Sequence, residues 1–89
     1  MIRHPITIIN KLGLHARAAA KLVSTASQFE SRVSVIKDGR AVDGKSIMSV
    51  MLLAASCGTA IELEVEGVDE ASALDALVTL INNRFDEEQ

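Results

Sequence analysis

Residues Ala60-Ile61-Glu62-Leu63-Glu64-Val65-Glu66 alternate apolar and acidic side chains without a break. Successive side chains of a strand point to opposite faces, so Ile61, Leu63 and Val65 share one face and the glutamates share the other. A strand with one dry face and one wet face belongs to an antiparallel sheet covered on one side. Three glutamates together raise the idea of carboxylate chemistry, but a solvated strand face accounts for them. Downstream, Gly67-Val68-Asp69 reads as a turn with Asp69 as N-cap. The helix it starts covers about 70–84, with Leu74, Leu77, Val78, Ile81 and Phe85 as its core stripe. Asp86-Glu87-Glu88-Gln89 then reads as a frayed acidic tail. Upstream, Ser46 is a good N-cap for a short helix over about 47–53. Ile47, Val50, Met51 and Ala54 form its inward stripe and leave Met48 and Leu52 toward solvent. Ser56-Cys57-Gly58-Thr59 separates that helix from the alternating strand.

The first half of the chain supplies the partners for that strand. Ile2 to Ile9 reads as a strand with Ile2, His4, Ile6 and Ile8 on one face, and Pro5 places it at a sheet edge or end. Asn10-Lys11-Leu12-Gly13 is a turn. A helix over about 16–28 follows, with Ala16, Ala19, Ala20, Val23 and Ala26 on one face, flanked by Leu22 and Phe29. Arg17, Lys21, Ser24 and Gln28 lie opposite, and the spacing of Arg17 and Lys21 puts both on one exposed surface. Ser31 to Ile36 is a second strand, Asp38-Gly39 a hairpin signal, and Arg40 to Asp43 a short edge strand. The order β-α-β-β-α-β-α implies an α+β, two-layer open-faced sandwich. Other split βαβ folds share this pattern.

Composition narrows the class. Eighty-nine residues make one domain, 1–89, and an apolar fraction of 48% makes a folded globule. With two Phe and no Tyr or Trp, the core rests on aliphatic side chains. A net charge of −3 and the lack of aromatic stacking platforms argue against nucleic-acid binding. One cysteine, Cys57, excludes an internal disulfide and reads as a reduced thiol, with a catalytic thiol the weaker alternative. The segment Met1-Ile2-Arg3-His4-Pro5 carries no signal-peptide core, and no apolar run approaches the roughly 18 residues of a membrane helix. A soluble, cytoplasmic protein is expected, without membrane insertion. His4 and His15 have no cysteine or carboxylate cluster at ligand spacing, so neither a metal site nor a cofactor is expected.

Chemistry concentrates in Gly13-Leu14-His15-Ala16-Arg17-Ala18-Ala19-Ala20. His15 stands where a helix begins, beside backbone N–H groups with no intrahelical partner and the positive end of the macrodipole. Neutral imidazole is a nucleophile near pH 7, and a phosphoryl group on it would meet those donors and the guanidinium fork of Arg17. The bland alternative is a surface histidine beside a helix cap. This string resembles the active-site segment of the HPr family of bacterial phosphocarrier proteins, whose pattern is Gly-Leu-His-Ala-Arg-Pro-Ala. Gly44-Lys45-Ser46-Ile47-Met48-Ser49-Val50-Met51 resembles the family's regulatory serine region, and order, spacing and length agree along nearly the whole chain.

The resemblance implies a four-stranded antiparallel sheet with three helices on one side, and a carrier rather than an enzyme. His15 would accept a phosphoryl group at Nδ1 from phosphorylated enzyme I and pass it to an enzyme IIA domain, with Arg17 stabilising the phosphate. Ser46 would be the site of an ATP-dependent HPr kinase, where such a kinase exists. Ala20, Lys21, Ile47, Met48 and Met51 would form the partner surface of a monomeric protein. Alternatives are the nitrogen-related regulatory paralogue, and a binding protein read by partners through its phosphorylation state. Ala18 departs from the family pattern, where proline is usual. Its N–H is expected to reach the imidazole nitrogen or the phosphoryl oxygens, altering rate more than fold.

Overall fold

The computed structural model describes residues 1–87. Strand β1 (Ile2–Thr7) leads to helix α1 (Ala16–Ala26), strands β2 (Arg32–Lys37) and β3 (Arg40–Asp43), helix α2 (Ile47–Leu52), strand β4 (Ala60–Glu66), helix α3 (Glu70–Asn82) and a 3-10 turn at Arg84–Asp86. The four strands form one antiparallel sheet in the order β1-β4-β2-β3. The strand with the cleanest alternation, β4, is thus interior, paired with β1 through Ile2↔Val65 to Thr7↔Ala60 and with β2 through Arg32↔Glu66 to Ile36↔Glu62. Pro5 sits in the edge strand β1, where a missing N–H breaks no second ladder.

Ile61, Leu63 and Val65 of β4 and Val33 and Val35 of β2 enter the core under the helices. On the open face Glu62 and Glu64 bracket Arg3, whose guanidinium lies 3.4 Å and 2.7 Å from their carboxylates. The glutamate row is therefore a cross-strand charge ladder on a wet surface.

Three details of the helices differ from the pattern-based expectation. In α1 the fully buried residues are Ala18, Ala19, Leu22 and Ala26, while Ala16 and Ala20 are exposed and Val23 is half-buried. In an alanine-rich segment every face looks alike, and Leu22, the largest apolar side chain of the helix, takes the fully buried position. In α2 only Val50 turns fully inward, followed by Leu53 just past the helix; Ile47, Met51 and Ala54 are exposed. This one-and-a-half-turn helix packs against α1 and the edge strand β3 and does not lie over the middle of the sheet. In α3 the buried positions are Ala73, Leu77 and Ile81, with Leu74 and Val78 at the margin.

Asp69 occupies the N-cap position of α3 but makes no cap hydrogen bond. Its carboxylate accepts instead from the amides of Glu30 and Ser31, each 2.9 Å away, and from the Ser31 hydroxyl. The loop into β2 has amides that nothing else satisfies, and an unpaired amide costs more than a frayed cap. Glu70 takes over part of the turn by accepting from the Gly67 amide at 3.2 Å.

Beyond α3, as far as Glu87, the chain does not fray. Arg84, Phe85 and Asp86 adopt left-handed backbone angles, φ 55°, 54° and 61°. Such a conformation costs a non-glycine residue roughly 1–2 kcal/mol. Complete burial of Phe85 and a 2.7 Å hydrogen bond from Lys21 Nζ to its carbonyl hold the turn. Residues Glu88 and Gln89 of the expected acidic tail lie outside the described residues. Among the described residues no helix is long and apolar enough to cross a membrane.

Two predictions test this packing. The Ser31 hydroxyl, then the Glu30 amide, hold the Asp69 carboxyl below its ordinary range. A carboxyl lowered in the folded state adds stability that is present above its unfolded pKa and lost as pH falls through the folded one. Urea unfolding of Asp69→Asn should therefore show a lower midpoint at neutral pH and a smaller further drop below about pH 4 than the wild type. Phe85→Ala should cost about 3–5 kcal/mol in the same assay, the usual range for emptying a fully buried aromatic site.

Candidate functional site

The site begins with how tightly the β1–α1 turn is held. Gly13 has φ +67°, and a Cβ there would lie 2.5 Å from the Ala55 carbonyl oxygen. Only glycine permits that approach, and through it the Leu14 amide donates to the Ala55 carbonyl at 2.8 Å. Asn10 closes the turn from within: its carbonyl accepts from the Gly13 amide at 3.1 Å, and its Nδ2 donates to the Gly13 carbonyl at 2.8 Å. Leu14 is buried, so the next residue, His15, is carried to the surface as the N-cap of α1 with extended backbone angles.

The imidazole does not cap its helix, because it makes no hydrogen bond to the first-turn amides. Neither the Ala18 N–H nor its neighbours therefore touch the ring, so of the two partners expected for the Ala18 N–H the imidazole nitrogen is not one; the Ala18 methyl group is buried in the core. The ring is held from the other side. His15 Nε2 lies 2.6 Å from Oε2 of Glu87. The other carboxylate oxygen of Glu87 accepts from Asn10 Nδ2 at 3.0 Å. That Asn10 bond, with a smaller contribution from His15, keeps the Glu87 carboxyl below its ordinary range despite burial that opposes it.

His15, Arg17, Lys21 and Lys11 line one open depression together with Asp86 and Glu87. The structure thus brings His15, Arg17 and Lys21 together as the sequence implied, and cations gather at one pole of a chain whose net charge is −3. Arg17 takes part in none of the ion pairs formed among the described residues, so its fork is available to an anion. The α1 N-terminus, with no acidic residue in its first turn, adds donors of the same sign.

Ser46 is the N-cap of α2, and its Oγ accepts from the Ser49 amide at 3.3 Å. Beyond it Ile47 is 42% exposed, Met48 72%, Met51 39% and Leu52 62%. Ala20 is exposed on α1, which packs beside α2. Leu12, in the turn before His15, adds another exposed apolar side chain. Cys57 is an exposed free thiol. Among the described residues, no three His, Cys, Asp or Glu side chains gather as a metal-binding group.

Glu87 and Asn10 were not visible as site residues from the pattern. They lie 72 and 5 positions from His15, in a segment with no periodicity and in a turn. The available signal was Phe85: an aromatic residue beyond a helix end must find the core, and it draws the following residues inward with it.

Comparison with known proteins agrees with this fold. The family described as the PTS HPr component phosphorylation site matches residues 2–83. The phosphocarrier protein HPr of Cupriavidus necator is 56% identical over 87 residues, covering 98% of each chain. The crystal structure of HPr-C-His from Thermoanaerobacter tengcongensis superposes with a TM-score of 0.96 at 49% identity, covering both chains completely. A crystal structure of an HPr dimer from the same organism gives 0.79 at 49% identity over 98% of this chain and all of that one. A match that runs from β1 through α3, at this identity and with this agreement in space, is one of descent: the chain belongs to the HPr family of phosphocarrier proteins of the phosphotransferase system.

Proposed function

We propose that His15 accepts a phosphoryl group at Nδ1 from phosphorylated enzyme I and delivers it to an enzyme IIA domain. The observation that carries this is the position of the ring: it stands free of its own helix cap, with Nε2 engaged by Glu87 and the cations of Lys11, Arg17 and Lys21 around it. Phosphoryl transfer asks little of a carrier beyond in-line presentation of the nucleophile and compensation of the phosphate charge. Arg17 supplies a charged fork to the equatorial oxygens, and the α1 amides supply neutral donors. Donor and acceptor proteins bring the rest.

The partner surface in this reading comprises Ala20, Lys21, Ile47, Met48 and Met51, with Leu52 beside them. Flexible, exposed methionines suit a surface that must fit both a donor and an acceptor. Ser46 is the proposed regulatory site, modified by an HPr kinase in a cell that has one. A phosphate there sits at a helix start, where the backbone tolerates it, and puts negative charge beside Ile47 and Met48. The protein acts as a cytoplasmic monomer in this scheme.

Incubation with phosphoenolpyruvate and enzyme I should add one acid-labile phosphoryl group by intact mass, and His15→Ala should add none. Onward transfer to purified enzyme IIA distinguishes a carrier from a protein whose phosphorylation is only read by partners. Arg17→Gln should slow phosphorylation by about tenfold or more, the rate equivalent of one charge-assisted hydrogen bond worth ~1.5 kcal/mol. Ser46→Asp keeps a good N-cap, so the fold should persist while the concentration of enzyme I needed for half-maximal rate rises.

A further inference from the structure

We propose that Glu87 is a positioning residue for this reaction: its carboxylate holds His15 in the tautomer whose Nδ1 lone pair is bare, and it balances the charge that the ring acquires when Nδ1 bonds to phosphorus. The proposal rests on the reading that His15 is the phosphoryl acceptor.

The argument starts from what a carboxylate can do. An ionised carboxylate only accepts hydrogen bonds, so at an N···O separation of 2.6 Å the proton must be on Nε2. A neutral imidazole has one N–H, and Nδ1 is then left with its lone pair in the ring plane. No first-turn amide engages that nitrogen. Glu87 is itself held at both oxygens, Oε2 by the ring and Oε1 by Asn10 Nδ2 at 3.0 Å. Asn10 is completely buried and tied to the Gly13 carbonyl at 2.8 Å. The side chain of Glu87 is only 14% exposed, which strengthens its interaction with the ring. Phe85 in the core and the Lys21 hydrogen bond to its carbonyl fix the backbone two residues earlier. The ring is thus oriented by a group on a different segment of the chain, the arrangement that keeps working histidines in one tautomer.

The step balances without a further reactant. The Nδ1 lone pair forms the new N–P bond, and the bond from phosphorus to the donor breaks, its electron pair leaving with the donor atom. The Nε2 proton stays in place, so the ring passes from neutral to cationic as the bond forms. The carboxylate faces that developing charge directly through the Nε2–H. Onward transfer reverses the sequence, and Nδ1 regains its lone pair.

Two readouts on the full-length protein test this. Long-range proton–nitrogen correlation spectra of the neutral His15 ring should show Nε2 protonated and Nδ1 bare in the wild type, and a shift toward mixed tautomers in Glu87→Gln. With phosphoenolpyruvate and enzyme I, Glu87→Gln should lower kcat for phosphorylation by about 10- to 100-fold, the usual cost of losing a group that orients a working histidine, with KM unchanged. Glu87→Asp, which restores a carboxylate, should recover part of that loss. Unchanged tautomer and kcat in Glu87→Gln overturn the proposal, as does a faster rate, which would make the carboxylate an obstruction. A wild type that takes no phosphoryl group overturns the underlying reading, and this proposal with it; equal rates in wild type and Glu87→Gln overturn this proposal alone.

Discussion

The approach of Gly13 to the Ala55 carbonyl is the constraint on which the rest of the site depends. With no room for a Cβ between them, the turn after β1 and the loop before β4 become one structure. Leu14 is thereby pinned in the core, and α1 can start only at the following residue. His15 reaches the surface, half-buried, because its predecessor is buried, and it sits at a helix N-terminus because the turn ends there. The placement of His15 is a by-product of main-chain packing.

A small acidic protein that must carry a phosphate faces an electrostatic contradiction. Its net charge repels the group, and a permanent excess of cations would leave the site unstable when empty. Here the excess is local. Lys11, Arg17 and Lys21 surround the depression, while most of the carboxylates lie on β4, on α3 and in the loops. Lys21 is tied to a carbonyl and Glu87 is tied to the ring, so the empty site already satisfies much of its own charge. Among the described residues Arg17 and Lys11 form no ion pair, and in the proposed scheme their charge meets the phosphoryl group.

Much of this was legible in the chain. The alternation of Ala60–Glu66 identified a strand with one wet face, Asp38-Gly39 the hairpin, and Ser46 the cap of α2, since each rests on a local rule of period or turn chemistry. The rotation of α1 was not legible, because an alanine-rich face offers no contrast between inside and outside. The exposure of Ile47 and Met51 was not legible either: periodicity says which residues share a stripe, whereas burial depends on what else covers the sheet. Asp69 shows the same limit, since its position read as a cap while its partners lay in a loop nearly forty residues away. For the site itself, His15 and Arg17 could be read from their helix-start context. Glu87 could not, since charge and distance from any periodic element made it look solvated, and only the burial of Phe85 brings it in.

That last contact spans 72 residues, and the turn that presents the imidazole leans in its turn on Ala55. The ring therefore draws its support from two later parts of the chain, one before β4 and one after α3. Under the role proposed for Glu87, the proton on Nε2 is a local readout of the whole fold, since the carboxylate reaches the ring only where the C-terminal turn is in place.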